Sequence, residues 1–446
     1  MPTQTLTRRL APAILEASPP ATAIDSLKLC LLDFLACAFE ARSLPWSRQA
    51  AQVAARSGGA ASIIGTALRA AVPEAAFANA VAGHGLVRED MHAGAVSHLG
   101  VVVLPAMLAL AQRQRVSGDR FAAACIVGYE LGARIGRALV TPAFMRQWRP
   151  TGFTGPLAGA AGGARLLGLT APAAASALAL AANTASGLNE WPRDGGEEMF
   201  FHPGIAARNA LMAVELAELG AYGSAGALDG EAGLFAAVGA AAASIPDIAL
   251  FTGGIAEISS VFRKALPVCN FAQTPAQAAL RLVGEHPLTA GSIGRVVIRV
   301  SAAAKHYPGC DSRGPFERVL QAKMSVPFCV ASALVDGTVS EQSFAALDRP
   351  EVLRVIEATS LEIDADFTQS FPGRQGAEII VAMAGGGTCE HRMLDLEAAS
   401  PEMIRARFAQ CADSVVGAAR RERLAEAVSA LETLEDVGAL MRLTES

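Results

Sequence analysis

Apolar residues recur at helical spacing almost without a break from about residue 20 to residue 260. Glycine or proline marks most junctions between these stretches, which is typical of helices that follow one another along a chain. Much of the apolar content is alanine, whose small side chain lets helices pack closely. The pattern predicts one large all-α domain, with helices over residues 23–39, 43–56, 74–82, 100–115, 118–138, 155–167, 171–186, 204–219 and 230–243.

The pattern changes near residue 290, where Val296, Ile298 and Val300 alternate with polar residues and indicate a strand. Further strands are predicted over residues 361–367 and 377–384, and helices over residues 324–335, 350–358, 401–412 and 422–443. We therefore predict a mainly-α protein with an all-α domain over residues 1–265 and a smaller α+β lid domain over residues 266–395. The lid is inserted before C-terminal helices over residues 396–446, which return to the helical domain. A cleft between two domains is a common place for a small-molecule site.

Composition and patterning exclude several classes of function. The longest apolar stretch, residues 99–111, is too short to cross a bilayer, which takes about 20 residues. Residues 1–18 have the spacing of an amphipathic helix rather than of a secretion signal, so we expect a cytoplasmic protein without a membrane partner. The net charge is −5 and no Lys/Arg cluster with interleaved aromatics occurs, so a nucleic-acid partner is not expected.

The eight cysteines are scattered without a CxxC pair, which favours reduced thiols over a disulfide framework or a structural zinc site. No GxSxG motif is present, and Cys269 and Cys310 are only loose candidates for a nucleophile. The phosphate-binding patterns GxxxxGK[ST] and GxGxxG are absent as well.

Three of the seven histidines, His84, His92 and His98, fall in one glycine-rich polar segment between two apolar helices. Charged residues lie among them: Arg88, Glu89 and Asp90. Because histidine titrates near neutral pH, such a cluster can supply a general acid or base. Helix capping and loop solvation are the alternative, and the spacings of 8 and 6 residues match no compact metal-ligand motif.

Basic residues at other positions could bind an anion. Arg149 precedes a glycine-rich entry into a helix, and helix N-termini bind anions. His202 precedes Pro203 at a predicted loop-to-helix junction. Lys264 stands beside an apolar run, where it could bind a carboxylate or act as a base with a lowered pKa. The alternative for each is a solvated residue in a surface loop or at a domain boundary.

Six segments together resemble the MmgE/PrpD family in the family's own order. They are VAGHGLVREDMHAGAVSHLG (residues 81–100), GYELGARIGRAL (128–139), TGFTGPLAGAAGGARLLGL (151–169), HPGIAARNALMAVELAELG (202–220), FRKALPVCNFAQTPAQAAL (262–280) and AKMSVPFCVASALVDGTVS (322–340). The family includes 2-methylcitrate dehydratase, cis-aconitate decarboxylase and iminodisuccinate epimerase. The resemblance implies a large all-α domain, a smaller α+β lid, a homodimer, an active site between the domains, and no metal or organic cofactor.

The resemblance also carries over to individual positions. His84, Asp90, His98, His202 and Lys264 match the family's pattern. Other positions where the family has a polar active-site residue have changed: Val87, Met91, Arg149, Met199, Gln273 and Phe328. The resemblance thus implies carbanion chemistry next to a carboxylate in a site altered from that of the dehydratase and the decarboxylase.

These observations lead to one functional prediction with two alternatives. We predict a cofactor-independent, dehydratase-like lyase that abstracts a proton next to a carboxylate of a small di- or tricarboxylate. The predicted catalytic residues are His98, Lys264, Asp90 and His84, and the predicted substrate-binding residues are Arg88, Arg149, His202 and His92. The alternatives are an epimerase or isomerase with the same chemistry, and a binding protein that keeps the fold without catalysis.

Overall fold

A computed structural model describes residues 4–240 and 248–446 and confirms the prediction of a mainly-α fold. The helices up to residue 240 are α1 (Leu6–Glu16), α2 (Ala23–Ala41), α3 (Pro45–Ala55), α4 (Val72–His84), α5 (Gly100–Leu110), α6 (Gly118–Leu139), α7 (Pro142–Gln147), α8 (Pro150–Leu167), α9 (Ala171–Ala182), α10 (Trp191–Asp194), α11 (Glu198–Glu218) and α12 (Leu234–Ala237). The later helices are α13 (Gln273–Glu285), α14 (Ala302–His306), α15 (Val319–Met324), α16 (Val326–Asp336), α17 (Pro350–Glu357), α18 (Ala365–Ser370), α19 (Pro401–Val416), α20 (Ala418–Ser429) and α21 (Gly438–Leu443). The strands are β1 (Ala61–Ser62), β2 (Arg69–Ala70), β3 (Asp90–His92), β4 (Val261–Arg263), β5 (Ile293–Val300), β6 (Thr359–Ile363), β7 (Ala377–Met383) and β8 (Thr388–Met393). Within the described residues, no helix has the length and apolar character needed to cross a membrane.

Small residues bring the central helices into close contact. Helix α8 packs against both α6 and α11, and α11 also packs against α4. A Cβ atom on Gly159 of α8 would lie only 2.6 Å from the Cβ of Ala210 in α11, and one on Gly204 would lie 2.8 Å from the carbonyl oxygen of Phe77 in α4. These close approaches explain why the helical region uses glycine inside helices, where it is otherwise unfavourable.

A four-stranded sheet forms the β part of the second half, in the order β6-β5-β7-β8. Strand β5 pairs in parallel with β6 and antiparallel with β7, and Ile298 lies opposite both Leu361 and Ile379. Helix α13 packs against β7 and β8 and also against α16. The strand predicted over residues 361–367 is wrong beyond Ile363, because Asp364 caps the N-terminus of helix α18.

Other differences from the predicted elements occur at turns. Residues 230–233 are turns rather than helix, and the last residues of the helix predicted over 230–243 lie outside the described residues. The helix predicted over residues 422–443 is interrupted between Ser429 and Gly438. His202 lies inside α11 rather than at a loop-to-helix junction, because that helix begins four residues earlier, at Glu198.

Two sets of contacts bring together the distant parts of the chain that form the candidate active site described below. Strand β3 pairs antiparallel with β4, so that Asp90 lies opposite Arg263 and the histidine-rich segment lies beside the lysine segment. Helix α19 packs against α2, and Arg407 of α19 donates hydrogen bonds to the carbonyl oxygens of Lys264 and Ala265, at 3.0 and 2.7 Å. The division at residues 265 and 395, and the lid, remain predictions.

Candidate active site

A small cavity of about 40 Å³ lies where the histidine segment, the start of α8 and the segment after β4 meet. Ligand sites in proteins typically measure about 300–1,000 Å³, so the wall has to move outward before a substrate can bind. The chain up to residue 265 and the chain beyond it both contribute to its wall. The lining residues are Val87, Met91, Val96, His98, Arg149, Pro150, Trp191, Met199, Lys264, Cys269, Asn270, Phe271, Tyr307 and Met324.

His98 is held in the wall by the residues on either side of it. It directly precedes Leu99, the N-cap of α5, and its backbone N–H donates to Oγ1 of Thr151 in the first turn of α8, at 3.1 Å. Thr154, one turn further along α8, donates to Ser97 at 3.1 Å. These bonds fix the loop that carries His98 against the N-terminus of α8.

A buried glutamate lies between two of the histidines. Oε1 of Glu89 is 2.6 Å from Nδ1 of His84 and 2.7 Å from Nδ1 of His98. The contact with His84 is a hydrogen bond, whereas Nδ1 of His98 has no well-aligned partner, and neither has Oε2 of Glu89. The cluster therefore holds polar atoms whose hydrogen-bonding capacity is not used, which is rare inside proteins.

Arg149 points into the same region from the N-terminal cap of α8. Its backbone N–H donates to the carbonyl oxygen of Gly187 at 2.9 Å, and its side-chain Nη2 lies 2.8 Å from Nε2 of His84. The guanidinium also stacks over the ring of Trp191, 4.9 Å from its centroid. Two contacts from different segments thus orient a buried cation that lines the cavity.

Lys264 directly follows strand β4, and its Nζ donates to the carbonyl oxygen of Val87 at 2.8 Å. Val87 has a φ of 58° and Val96 a φ of 48°, and both line the cavity. Positive φ is unfavourable for a β-branched residue, and such strain is found where the surrounding structure enforces a functional geometry. The strained backbone at Val87 therefore places its carbonyl group at the ammonium of Lys264.

Burial changes the protonation of these groups. It lowers the pKa of His98 to about 3, and the Lys264 ammonium contributes to that decrease. Burial also lowers the pKa of Lys264 below its usual value. Burial alone would raise the pKa of Glu89, but His84 and His98 hold it well below its ordinary value. At neutral pH a neutral His98 thus lines the cavity, with an ionised Glu89 behind it.

Five of the predicted site residues do not line the cavity, and one of them, His84, lies between Glu89 and Arg149. Arg88 donates to Glu40 at 2.5 Å, and His92 contacts Oε2 of Glu257 at 2.7 Å. Asp90 is buried behind the wall, where burial raises its pKa to about 7. His202 is partly buried on α11, close enough to Gly187 that a Cβ there would lie 3.6 Å from its ring. This placement gives no support to substrate contacts by Arg88 and His92, and we leave both out of the proposed site.

Side-chain alternation explains which residues of the histidine segment face the cavity. Successive side chains along a strand point to opposite faces. Within strand β3, Met91 lines the cavity, whereas Asp90 and His92 point the other way. Glu89 precedes the strand and lies beside His98, and it was not among the predicted site residues. Trp191, Asn270 and Tyr307 were also missed, and no sequence signal connects them with the site.

The donor atoms of His84, Glu89 and His98 lie within 4.8 Å of one another and are the one such metal-ligating group among residues 4–240 and 248–446. Imidazole and carboxylate are ligands that zinc accepts. Here, however, Nε2 of His84 already contacts the Arg149 guanidinium at 2.8 Å and the sulfur of Met199 at 2.9 Å, and the charge of Lys264 is close enough to lower the pKa of His98. Two neighbouring cations disfavour a third in the same cluster.

Two of the cysteines meet at the edge of the cavity. Cys269 lines it, and its sulfur lies 3.9 Å from that of Cys310. Both thiols are free, and Cys310 is fully buried. Their position does not place either of them against a histidine that could activate a nucleophile.

Comparison with known proteins gives full-length similarities. The sequence model of the MmgE/PrpD N-terminal domain matches residues 10–244, and that of the MmgE/PrpD C-terminal domain matches residues 266–433. The chain is 29% identical to the cis-aconitate decarboxylase-like protein oryM of Aspergillus oryzae over 99% of this chain and 98% of that protein. It is 27% identical to the cis-aconitate decarboxylase of Aspergillus terreus over 95% of this chain and 92% of that protein. It is also 27% identical to the human cis-aconitate decarboxylase, over 83% of this chain and 78% of that protein.

Proposed function

The chain belongs to the MmgE/PrpD family, and we propose that it is a lyase that acts on a small polycarboxylate at the carbon next to a carboxylate. The convergence of His98, Arg149 and Lys264 on one buried cavity carries this proposal. A multiply charged acid needs cations at the cavity wall, and carbanion chemistry needs a group that moves a proton. The cavity contains both.

Arg149 and Lys264 bind the carboxylates of the substrate in this proposal. The guanidinium presents several N–H donors in one plane, which suits two-point binding of a carboxylate. The ammonium of Lys264 uses one donor on the Val87 carbonyl group and has two left for a substrate oxygen. Since both side chains are buried, their attraction for an anion is only weakly screened by water.

His98 and Lys264 move the protons. Burial lowers the pKa of His98 to about 3, so the ring is unprotonated at neutral pH and free to accept a proton, as a weaker base than an exposed imidazole. Burial lowers the pKa of Lys264, so that its ammonium gives up a proton more readily than an exposed lysine does. The pair thus offers a base and an acid at one cavity.

We propose decarboxylation of an unsaturated tricarboxylate as the first form of the reaction to test. The carbon–carbon bond breaks, carbon dioxide leaves, and the electron pair remains on the substrate, which takes a proton at carbon from Lys264. Val87, Met91 and Met199 form an apolar part of the wall. Apolar surroundings favour conversion of a charged carboxylate into neutral carbon dioxide. The names of the curated relatives point to the same reaction.

Dehydration, the form predicted from the sequence, uses the same groups. His98 would take the proton next to the carboxylate, and hydroxide would leave with a proton from Lys264. We also propose that the reaction needs no metal or organic cofactor, that the chain forms a homodimer, and that it is cytoplasmic. These three proposals rest on the family resemblance and on the sequence pattern.

The test is to incubate the purified protein with cis-aconitate, citrate, 2-methylcitrate, tartrate and iminodisuccinate in deuterated water and to follow products by proton NMR. A lyase gives a new alkene or releases carbon dioxide, with deuterium at the reacting carbon. Lys264→Gln should lower the rate of decarboxylation, and His98→Gln the rate of dehydration, by about 10²-fold or more. Deuterium exchange without a net product would instead identify an isomerase. Binding of an acid without exchange would identify a binding protein and overturn the proposal.

A further inference from the structure

We propose that Glu89 is a positioning residue that holds both the base His98 and the carboxylate-binding Arg149 in working geometry. The inference rests on the proposed function and concerns a residue outside the cavity lining. The carboxylate acts through two arms, and both start at Oε1. The first arm is the contact with His98, and the second runs through His84 to Arg149. Glu89 is fully buried, so its negative charge is only weakly screened by solvent.

The first arm sets the tautomer of the base. Nδ1 of His98 lies 2.7 Å from Oε1 of Glu89, and an ionised carboxylate can only accept a hydrogen bond. Although the two atoms are not aligned for a hydrogen bond, an unprotonated Nδ1 would place two acceptors 2.7 Å apart, so we expect the proton on Nδ1 and an unprotonated Nε2. When Nε2 takes a proton from substrate, the carboxylate stabilises the imidazolium that forms.

The second arm orients the cation. His84 donates from Nδ1 to Glu89 at 2.6 Å, which leaves Nε2 of His84 as an acceptor for Nη2 of Arg149 at 2.8 Å. If the proton of His84 moved to Nε2, two donors would face each other at that distance. The carboxylate thus determines whether Arg149 has an acceptor, and Trp191 supports the guanidinium from another side.

The unused oxygen of Glu89 fits this role. Oε2 is buried and has no hydrogen-bond partner, while both imidazoles approach Oε1. A buried carboxylate oxygen without a partner is costly, so a purely structural glutamate would be expected to have both oxygens paired. A rotation of the carboxylate would bring Oε2 to His98 and give each histidine an oxygen of its own.

The experiment compares Glu89→Gln with Glu257→Gln, a matched change at another buried glutamate that contacts a histidine outside the cavity. Glutamine keeps the shape but removes the charge, so nothing fixes the proton on Nδ1 of either ring. Glu89→Gln should lower kcat by about 10²-fold or more and raise KM by about 10-fold, because both arms lose their anchor. Glu257→Gln should keep kcat within about 3-fold of wild type per folded molecule. Glu89→Asp, with a shorter side chain that keeps the charge, should recover part of the lost kcat.

Histidine tautomers give a readout that a merely structural role would not change. Nitrogen-15 NMR of histidine-labelled protein should show His84 and His98 protonated at Nδ1 in the wild type and altered in Glu89→Gln.

If the wild type already carries the proton of His98 on Nε2, the proposal is overturned even when no variant folds. If Glu89→Gln turns over the substrate within about 3-fold of wild type, the proposal is overturned while the proposed function stands. A stoichiometric metal that is lost together with activity in Glu89→Gln would overturn it in favour of a metal-binding cluster. If the wild type acts on none of the acids, the proposed function fails, and the tautomers still test the positioning.

Discussion

His98 and His92 lie six residues apart in the same glycine-rich segment, and each is buried with a ring nitrogen 2.7 Å from a glutamate oxygen. Their surroundings differ. The other ring nitrogen of His92 accepts from the backbone of Ala95 at 3.0 Å, and Glu257 also pairs with Arg134 and Arg137 at 3.1 Å. Around His98, by contrast, Glu89 keeps one oxygen without a partner, and the ring faces a cavity.

The difference shows how a histidine–glutamate pair that stabilises the fold can be distinguished from one that takes part in a reaction. In the His92 cluster the hydrogen bonds join the segment at Glu257 to helix α6, so the cluster contributes to stability. In the His98 cluster the polar groups are pre-organised and incompletely paired, at a cost in stability that is typical of functional sites. The four predictions below test whether the two clusters separate in this way.

The largest expected effect is on turnover. For dehydration, His98→Gln should lower kcat by about 10²-fold or more, because the group that accepts the proton from carbon is lost. His92→Gln should leave kcat within about 3-fold of wild type once the folded fraction is taken into account. Steady-state kinetics with an acid that the NMR experiment identifies as a substrate measures both variants. Equal losses of kcat in the two variants would contradict the distinction between the His98 cluster and the His92 cluster.

The next effect is on stability, and here His92→Gln should have the larger effect of the two variants. His92→Gln should lower the free energy of unfolding by about 1–3 kcal/mol, because buried partners on Glu257 and Ala95 lose a hydrogen bond. His98→Gln should lower it by less, since Nδ1 of His98 has no well-aligned bond to lose. Urea unfolding followed by circular dichroism gives both values. A larger destabilisation by His98→Gln would contradict the assignment.

A smaller effect is expected on substrate affinity. Arg149→Lys keeps the charge but loses the planar donors and the stacking on Trp191, so KM should rise by about 10-fold with a smaller change in kcat. Arg137→Lys makes the same change in the His92 cluster, where Arg137 pairs with Glu257, and is the matched control. An unchanged KM for Arg149→Lys would show that this residue does not bind the substrate.

The smallest effect is a change in the pH dependence of stability. The folded-state pKa of His98 is about 3, below the ordinary value near 6.5, so the unfolded chain binds more protons between these values. His98 therefore favours the folded state fully above pH 6.5 and loses that contribution as the pH falls toward 3. In His98→Gln, the slope of unfolding free energy against pH in this window should become shallower by up to about 1.4 kcal/mol per pH unit. Denaturant unfolding at pH 4 to 7 measures it, and an unchanged slope would mean that the ring is not buried in its neutral form.

The helices were predictable because their apolar spacing is local information. The sheet was less so: strand β8 alternates exposed and partly buried residues at the edge of the sheet, and its sequence looks like a polar loop. Strand β6 ends where Asp364 turns the chain into a helix, and its apolar neighbours concealed that boundary. Edge strands and caps depend on neighbours that are distant in sequence.

The site was predictable where residue chemistry is unusual in its local context. His98, Arg149 and Lys264 were identified as polar groups beside apolar runs, and they all line the cavity. Arg88 and His92 share the same segment, but their side chains pair with Glu40 and Glu257 instead. Tyr307 enters the cavity from the distant second half, and only the tertiary structure brings it there.

A crystal structure of His98→Gln with an unreacted tricarboxylate tests the central claim most directly. We expect one carboxylate within hydrogen-bond distance of the Arg149 guanidinium, another at Nζ of Lys264, and the reacting carbon next to the side chain at position 98. An acid bound at another surface, with the cavity empty at saturating ligand, would contradict the account.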